Sequence, residues 1–339
     1  MPLPLLFIGI GAAAGALGIG KTVKASIDQK EANETNERAD DVIRDASNRI
    51  ETARKKCGTN IENLGKCKIK ILNNSIKPFI EIFEKINYIE ISNSMEFNEL
   101  QKIIFDKKKF SELKEIQSIA ASLDNDVIDG IATGVAGGVL TAFGAYSIAG
   151  ALATASTGTA IASLSGIAAT NATLAFFGGG SLAVGGLGIA GGTMILGGLI
   201  AGPALAIFGS FMSLKASSNL EKAYLNLEKA QKYEKELKAV INACKEISER
   251  ANKFTNFLTS IDSNFFPLTQ KMSQIIVSKG TDYRNFSSDE KKIIGQAITL
   301  AGAIKSILDT PILDKDGNLT PESDRIIDST NAKLLRDLV

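Results

Sequence analysis

Residues 15–22 read Gly-Ala-Leu-Gly-Ile-Gly-Lys-Thr and fit the pattern G-x-x-x-x-G-K-[ST]. In a phosphate-binding loop of that pattern, backbone amides cradle phosphates, the lysine reaches the terminal phosphates and the hydroxyl holds Mg²⁺. Gly15, Gly20, Lys21 and Thr22 would carry those roles. The surroundings argue against them. The match sits in a tract of small residues, Ala12 to Ala14 stand where a buried strand should lead into the loop, and a long amphipathic helix follows. No strands alternate with helices to build the parallel sheet that such a loop needs. Asp106, after Ile103-Ile104-Phe105, resembles the second carboxylate of nucleotide-binding proteins, but it runs straight into Lys107-Lys108-Lys109.

The other chemistry-bearing residues are as sparse. The chain has no histidine, which removes the commonest general base and metal ligand and excludes Ser-His-Asp and Cys-His nucleophile systems. Asp314-Lys-Asp316-Gly317-Asn318 resembles part of a calcium loop. With Gly317 as its sixth position, however, the first and twelfth positions fall on Ile312 and Ser323, which cannot supply the ligands. An Asp-Gly turn is the simpler reading. Cys57, Cys67 and Cys244 form no C-x-x-C pair and are odd in number, a pattern suited to a reducing compartment rather than to a disulfide scaffold. They read as small apolar residues on helix faces. A net charge of +1 and the lack of any basic patch with stacking aromatics argue against nucleic acid as a partner. The expectation is a protein that is not an enzyme and carries no cofactor or metal.

The distribution of charge is more informative. Asp129 is followed by no charged residue until Lys215, so residues 130–214 form an 85-residue stretch without Asp, Glu, Lys, Arg or His. A soluble domain carries about a quarter charged residues. This stretch also holds 20 of the 31 glycines. Two parts, 131–154 and 182–214, are long enough to span a bilayer. Between them lies a Ser/Thr/Ala-rich stretch suited to a hairpin tip or a re-entrant loop. The first 20 residues are uncharged too, and their basic residues, Lys21 and Lys24, come after the apolar part. That order is wrong for a secretory signal; it suits an N-terminal anchor, or a helix docked in the glycine-rich region.

Gly11/Gly15, Gly134/Gly138, Gly188/Gly192 and Gly198/Gly202 stand in G-x-x-x-G spacing. In lipid, apolar helices associate where small residues let their backbones approach closely. These glycines are the candidate helix-packing sites, with Pro203 as a candidate hinge. The segments are built from Gly, Ala, Thr, Ile and Leu, and only Ile and Leu strongly favour insertion. Such a sequence is marginal in water and in lipid alike, which suits a segment packed in one state and inserted in another.

The flanking regions read as helices. From residue 25 to about 90, apolar residues recur at Ile43, Ala46, Ile50, Ala53, Cys57, Ile61, Leu64, Ile71, Ile76, Phe79, Phe83 and Ile86, mostly in steps of three and four. Pro78 is expected to kink or break this helix. From Asn219 to Phe265 a second stripe runs through Leu220, Tyr224, Leu227, Ala230, Leu237, Ile241, Cys244, Ile247, Ala251, Phe254, Leu258, Ile261 and Phe265, as coiled coils use. The natural expectation is that the two fold back on each other antiparallel. Near the C-terminus, Ser287-Ser-Asp-Glu290 is a capping box opening a helix to about Leu308, and Thr320-Pro321-Glu322 starts the last one.

The stretches Thr-Ala-Ser-Thr-Gly-Thr-Ala-Ile-Ala-Ser-Leu-Ser-Gly (154–166) and Ala-Thr-Leu-Ala-Phe-Phe-Gly-Gly-Gly-Ser-Leu-Ala (172–183) resemble a widespread, poorly characterised bacterial family. Its members share an apolar N-terminus, a long helix, a glycine-rich core and a second long helix. The resemblance extends from Met1 through Lys279-Gly-Thr-Asp-Tyr283 and Leu313-Asp-Lys-Asp-Gly-Asn-Leu319. It implies no activity. The order helix, glycine-rich hairpin, helix is more loosely similar to apolipoprotein L proteins and to α-helical pore-forming toxins of the cytolysin A type, an architectural likeness that transfers no residue roles.

Together these readings predict an all-α protein. It is an elongated bundle of two long antiparallel amphipathic helices carrying a Gly/Ala-rich hydrophobic helical hairpin. Its parts are an apolar segment (1–24), a helical stalk (25–129), the membrane hairpin (130–214), a second stalk helix (215–266) and a small helical region (267–339). The expected partners are a lipid bilayer, further copies of the chain, and proteins that bind the stalk helices. The expected place is the cytoplasmic side of the inner membrane, with a soluble form before insertion. Permeabilisation of a membrane, as in a bacterial defence or toxin-type effector, is the leading function. A non-permeabilising membrane scaffold and a soluble oligomer with a glycine-packed core stay open beside it.

Overall fold

The computed structural model describes residues 19–87, 107–122, 144–145, 219–314 and 318–337. Regular structure among them is helical, and two isolated β-bridges are the only extended pairings. The protein is all-α. We number the α-helices α1 (Ile19–Ile71), α2 (Lys77–Phe83), α3 (Lys107–Ser122), α4 (Leu220–Lys279), α5 (Ser288–Leu308) and α6 (Pro321–Asp337). The chain forms two compact units, residues 1–48 with 207–238 and residues 49–206 with 239–339, and α1 and α4 each contribute to both.

In the first unit α1 pairs with α4 along an alanine seam. Ala32, Ala39 and Ala46 are buried at intervals of seven, as are Ala223, Ala230 and Leu237 opposite. Such spacing keeps one narrow stripe facing the partner, and small side chains let two helices approach closely. Polar pairs fix the register. The Tyr224 hydroxyl donates to Glu31 at 2.6 Å, Asn226 to Asn36 at 3.0 Å, and Tyr233 and Ser47 share a hydrogen bond of 3.4 Å. The stripe expected from the sequence drifts at its start. Ala223 occupies the seam, while Tyr224 lies at the edge, half exposed, where its hydroxyl reaches Glu31.

These pairs advance together along both helices, so α1 and α4 run parallel. The antiparallel fold-back expected from the sequence does not form. The second unit repeats the sense: Cys57 meets Cys244, Asn60 bonds Ser248, Cys67 lies 3.7 Å from Thr259 and Asn87 forms a parallel bridge with Asp282. Lys114 of α3 pairs with Glu84 at 2.5 Å, the Ala120 carbonyl accepts from Asn73 at 3.2 Å, and the Gly144 carbonyl accepts from Lys68 at 3.3 Å. These contacts step from Glu84 to Asn73 to Lys68, back toward the start of α1.

The first α-helix is interrupted just before Pro78, where a kink or break is expected. A π-turn, Leu72–Ile76, precedes it, and the Lys77 amide donates to the Leu72 carbonyl five residues back. The widened turn accommodates the proline ring and its missing N–H, and Pro78 sits at the tolerated start of α2. Pro267 lies inside α4, which continues past the expected end at Phe265 to Lys279. Burial of Thr269, Met272 and Ile275 holds this extension on the core. Gly280, at φ 81°, ends it in a conformation that favours glycine.

The core of the second unit joins α1, α2, α3, α4 and α5. Phe79 packs on Phe265 and Phe83 with ring centres 5.4 and 5.7 Å apart, and Phe83 packs on Phe110 at 5.5 Å. The capping box forms as its sequence implies: Ser287 accepts from the Glu290 amide at 3.3 Å and Glu290 accepts from the Ser287 amide at 2.7 Å. At the other helix start, Thr320 accepts from the Ser323 amide at 3.2 Å.

Candidate docking site of the glycine-rich segment

Two residues of the charge-free stretch, Gly144 and Ala145, are described, and both are buried in the second unit. They show how the helical body holds this segment. Gly144 lies directly on the α1 backbone. A methyl group added to it would collide with the carbonyl oxygen of Ile61 and come within 2.9 Å of its carbonyl carbon. Only glycine permits that approach without backbone movement. Next to it, the Ala145 carbonyl accepts from the amides of Ile312 and Leu313 at 2.8 and 3.0 Å. One carbonyl therefore ties Ala145 to two residues that follow α5.

The third attachment is electrostatic. Lys68 of α1 has no exposed surface, and its amine donates to the Gly144 carbonyl at 3.3 Å. Helix α1 is covered on several sides here: Ile61, Leu64, Ile69 and Leu72 are all fully buried. Burial disfavours the ammonium form and pulls the Lys68 pKa from 10.5 down to about 7, with Cys67 and Asp309 opposing the shift. Near neutrality much of this lysine is an uncharged amine that still donates a hydrogen bond.

A second buried lysine nearby meets the opposite environment. Lys305 of α5 pairs with Glu112 of α3 at 2.9 Å and with Asp309 at 2.5 Å. Burial lowers its pKa, but hydrogen bonds to Asp309 and Glu112 outweigh that, and the net shift is upward. Lys305 stays charged and clamps α3 to α5. Asp309 faces both lysines electrostatically.

Opposite outcomes are expected for two glycines of this region. Gly144→Ala should cost about 1–3 kcal/mol, the usual range for forced overpacking. Gly58→Ala, on α1 with nothing within 4 Å of the added methyl, should gain about 0.5–1 kcal/mol from helix propensity. Paired denaturant titrations of the two variants check this, and a neutral Gly144→Ala would remove the close approach.

The residues singled out in the sequence fall as follows. Gly11, Gly15, Gly134, Gly138, Gly188, Gly192, Gly198, Gly202 and Pro203 lie outside the described residues. Gly20, Lys21 and Thr22 fall in the first turns of α1. Lys315, Asp316 and Gly317 lie outside the described residues; on either side of them the Asp314 carboxylate accepts from the Asn318 amide at 2.9 Å, and Leu313 bridges Leu319. Among the described residues no cluster of three or more His, Cys, Asp or Glu is placed to hold a metal. Sequence reasoning missed Lys68, Lys305 and Gly144. The signal available for Lys68 was its place beside Ile69, one helical turn from Leu64 and Leu72 in a helix apolar on several faces. No protein-family model, curated protein or solved structure matches the chain.

Proposed function

We propose that this protein inserts its charge-free segment, residues 130–214, into a lipid bilayer and permeabilises it as an oligomer. The observation that carries the reading is the parallel register of the first unit. Glu31–Tyr224 and Asn36–Asn226 pair near the starts of α1 and α4. The uncharged N-terminal stretch leads into α1 and the uncharged central stretch leads into α4. Both apolar segments therefore join the helix pair at the same end. The basic residues that begin the charged sequence, Lys21, Lys24 and Lys215, belong to those two junctions, as suits residues on the cytoplasmic side of a membrane. Ile27, Tyr224 and Leu225, close to the junctions, are 58%, 49% and 49% exposed. Large apolar side chains at such a place fit a membrane interface.

Among the described residues no helix is long and apolar enough to cross a membrane. The spanning role falls to the 130–214 segment, whose G-x-x-x-G pairs supply close helix contacts. Insertion of the whole 130–214 segment requires release of the attachments of Gly144 and Ala145 to Lys68, Ile312 and Leu313.

The test is flotation with vesicles of phosphatidylethanolamine and phosphatidylglycerol, followed by release of an encapsulated dye. The protein is expected to float with the vesicles, and dye release should rise more steeply than linearly with protein concentration. Flotation without release would favour the scaffold reading. Protein left at the bottom of the gradient would sink both membrane readings.

A further inference from the structure

We infer that Cys57 and Cys244 are a built-in modification site, at which peroxide joins α1 to α4 through an intramolecular disulfide. The two cysteines lie 187 positions apart, so the sequence does not suggest that they meet. In the second unit they face each other across the parallel helix pair, with 0% and 3% exposure, in the register set by the neighbouring Asn60–Ser248 pair. Asn60 and Ser248, one helical turn further along both helices, are hydrogen-bonded and pin this register. The surrounding seam residues, Ile61, Ile247 and Ala251, are buried and hold the two backbones in place. Closing the bridge requires the sulfurs to approach to about 2.05 Å.

The pair is also chemically polarised. Interaction with the Cys57 thiol lowers the Cys244 pKa, burial opposes this, and the Arg54 charge lowers it further. With Arg54 favouring its thiolate, Cys244 acts as the nucleophile and Cys57 as the resolving thiol. The Cys244 thiolate attacks one oxygen of hydrogen peroxide, the O–O bond breaks, and hydroxide leaves to take up a proton as water. Cys244 is then a sulfenic acid. The Cys57 sulfur attacks the Cys244 sulfur, the S–O bond breaks, and the departing hydroxide takes the Cys57 proton as a second water. Two thiols have lost two electrons and one peroxide has gained them. Peroxide is little larger than water and reaches buried sulfurs through local opening of the helix pair.

Cys67 is the third thiol and serves as the internal control, since it is hydrogen-bonded to Thr259 rather than to a cysteine. The full-length protein and its Cys67→Ser variant are reduced, treated with near-stoichiometric hydrogen peroxide and analysed by intact mass and peptide mapping. Both should lose about 2 Da, with the peptides of Cys57 and Cys244 joined. The oxidised Cys67→Ser protein should unfold roughly 5 °C higher than the reduced one. Oxygen adducts without a cross-link, a bridge that includes Cys67, or a bridge that forms only in denaturant would each overturn the inference. Cys67→Ser carries the test because it leaves the facing pair intact.

Discussion

Lys68→Met should stabilise the protein by about 2–3 kcal/mol at neutral pH. A pKa unit corresponds to about 1.4 kcal/mol, so holding this lysine in its fully buried place costs several times that. The fall from 10.5 to about 7 measures that penalty. Methionine fills a similar volume without it, and loss of the hydrogen bond to the Gly144 carbonyl offsets about 1 kcal/mol of the gain. The pH dependence has a definite sign. Between about pH 7 and 10.5 the unfolded chain holds the Lys68 proton and the folded chain does not, so folding releases a proton and stability rises with pH in that window. Below about pH 7 both states are charged and the penalty is constant. The advantage of Lys68→Met should therefore be largest at and below neutral pH and shrink as pH approaches 10.5. Denaturant midpoints of both proteins across this range check it. A gap that stayed constant with pH would show that Lys68 is not desolvated as described.

Lys305→Ala should do the reverse and destabilise by about 2–4 kcal/mol, because it leaves Glu112 and Asp309 facing each other without their cation. The side chain of Lys305 is 10% exposed and those of the carboxylates 32% and 30%, so solvent screens the loss only in part. The raised Lys305 pKa means that the clamp is fully present at neutral pH and is lost only as pH climbs through and above the ordinary lysine value. Two buried lysines in one unit are thus expected to respond in opposite directions. The difference lies in what dominates each site: for Lys305 the carboxylates within 2.9 Å outweigh burial, and for Lys68 burial outweighs its neighbours. If Lys305→Ala melts like the parent protein, the ion pairs hold nothing together.

Much of the helical layout was legible because it rests on local rules. The three-four stripes through Ile50, Ile61 and Leu64, and through Leu237, Phe254 and Leu258, mark faces that are indeed buried. Ser287 and Glu290 form their capping box because both partners lie within one turn. Pro321 starts α6 for an equally local reason, its fixed φ and missing N–H. Pro78 marked the interruption between α1 and α2; its form was not legible, because burial of Leu72 and Ile76 is what stabilises a widened turn there.

The absence of charge from residues 130–214 and the amphipathic character of the two long helices were determined by the sequence itself, since composition and period require no partner. Their direction was not. An apolar stripe reads the same to a partner approaching from either end, and the polar pairs that select a parallel register, Glu31–Tyr224, Asn36–Asn226 and Asn60–Ser248, join residues about 190 positions apart. The same holds for the docking site and the thiol pair. Lys68, Gly144, Lys305 and the facing cysteines acquire their chemistry from burial and from neighbours distant in sequence. Only the tertiary structure decides which charges lose water and which sulfurs meet.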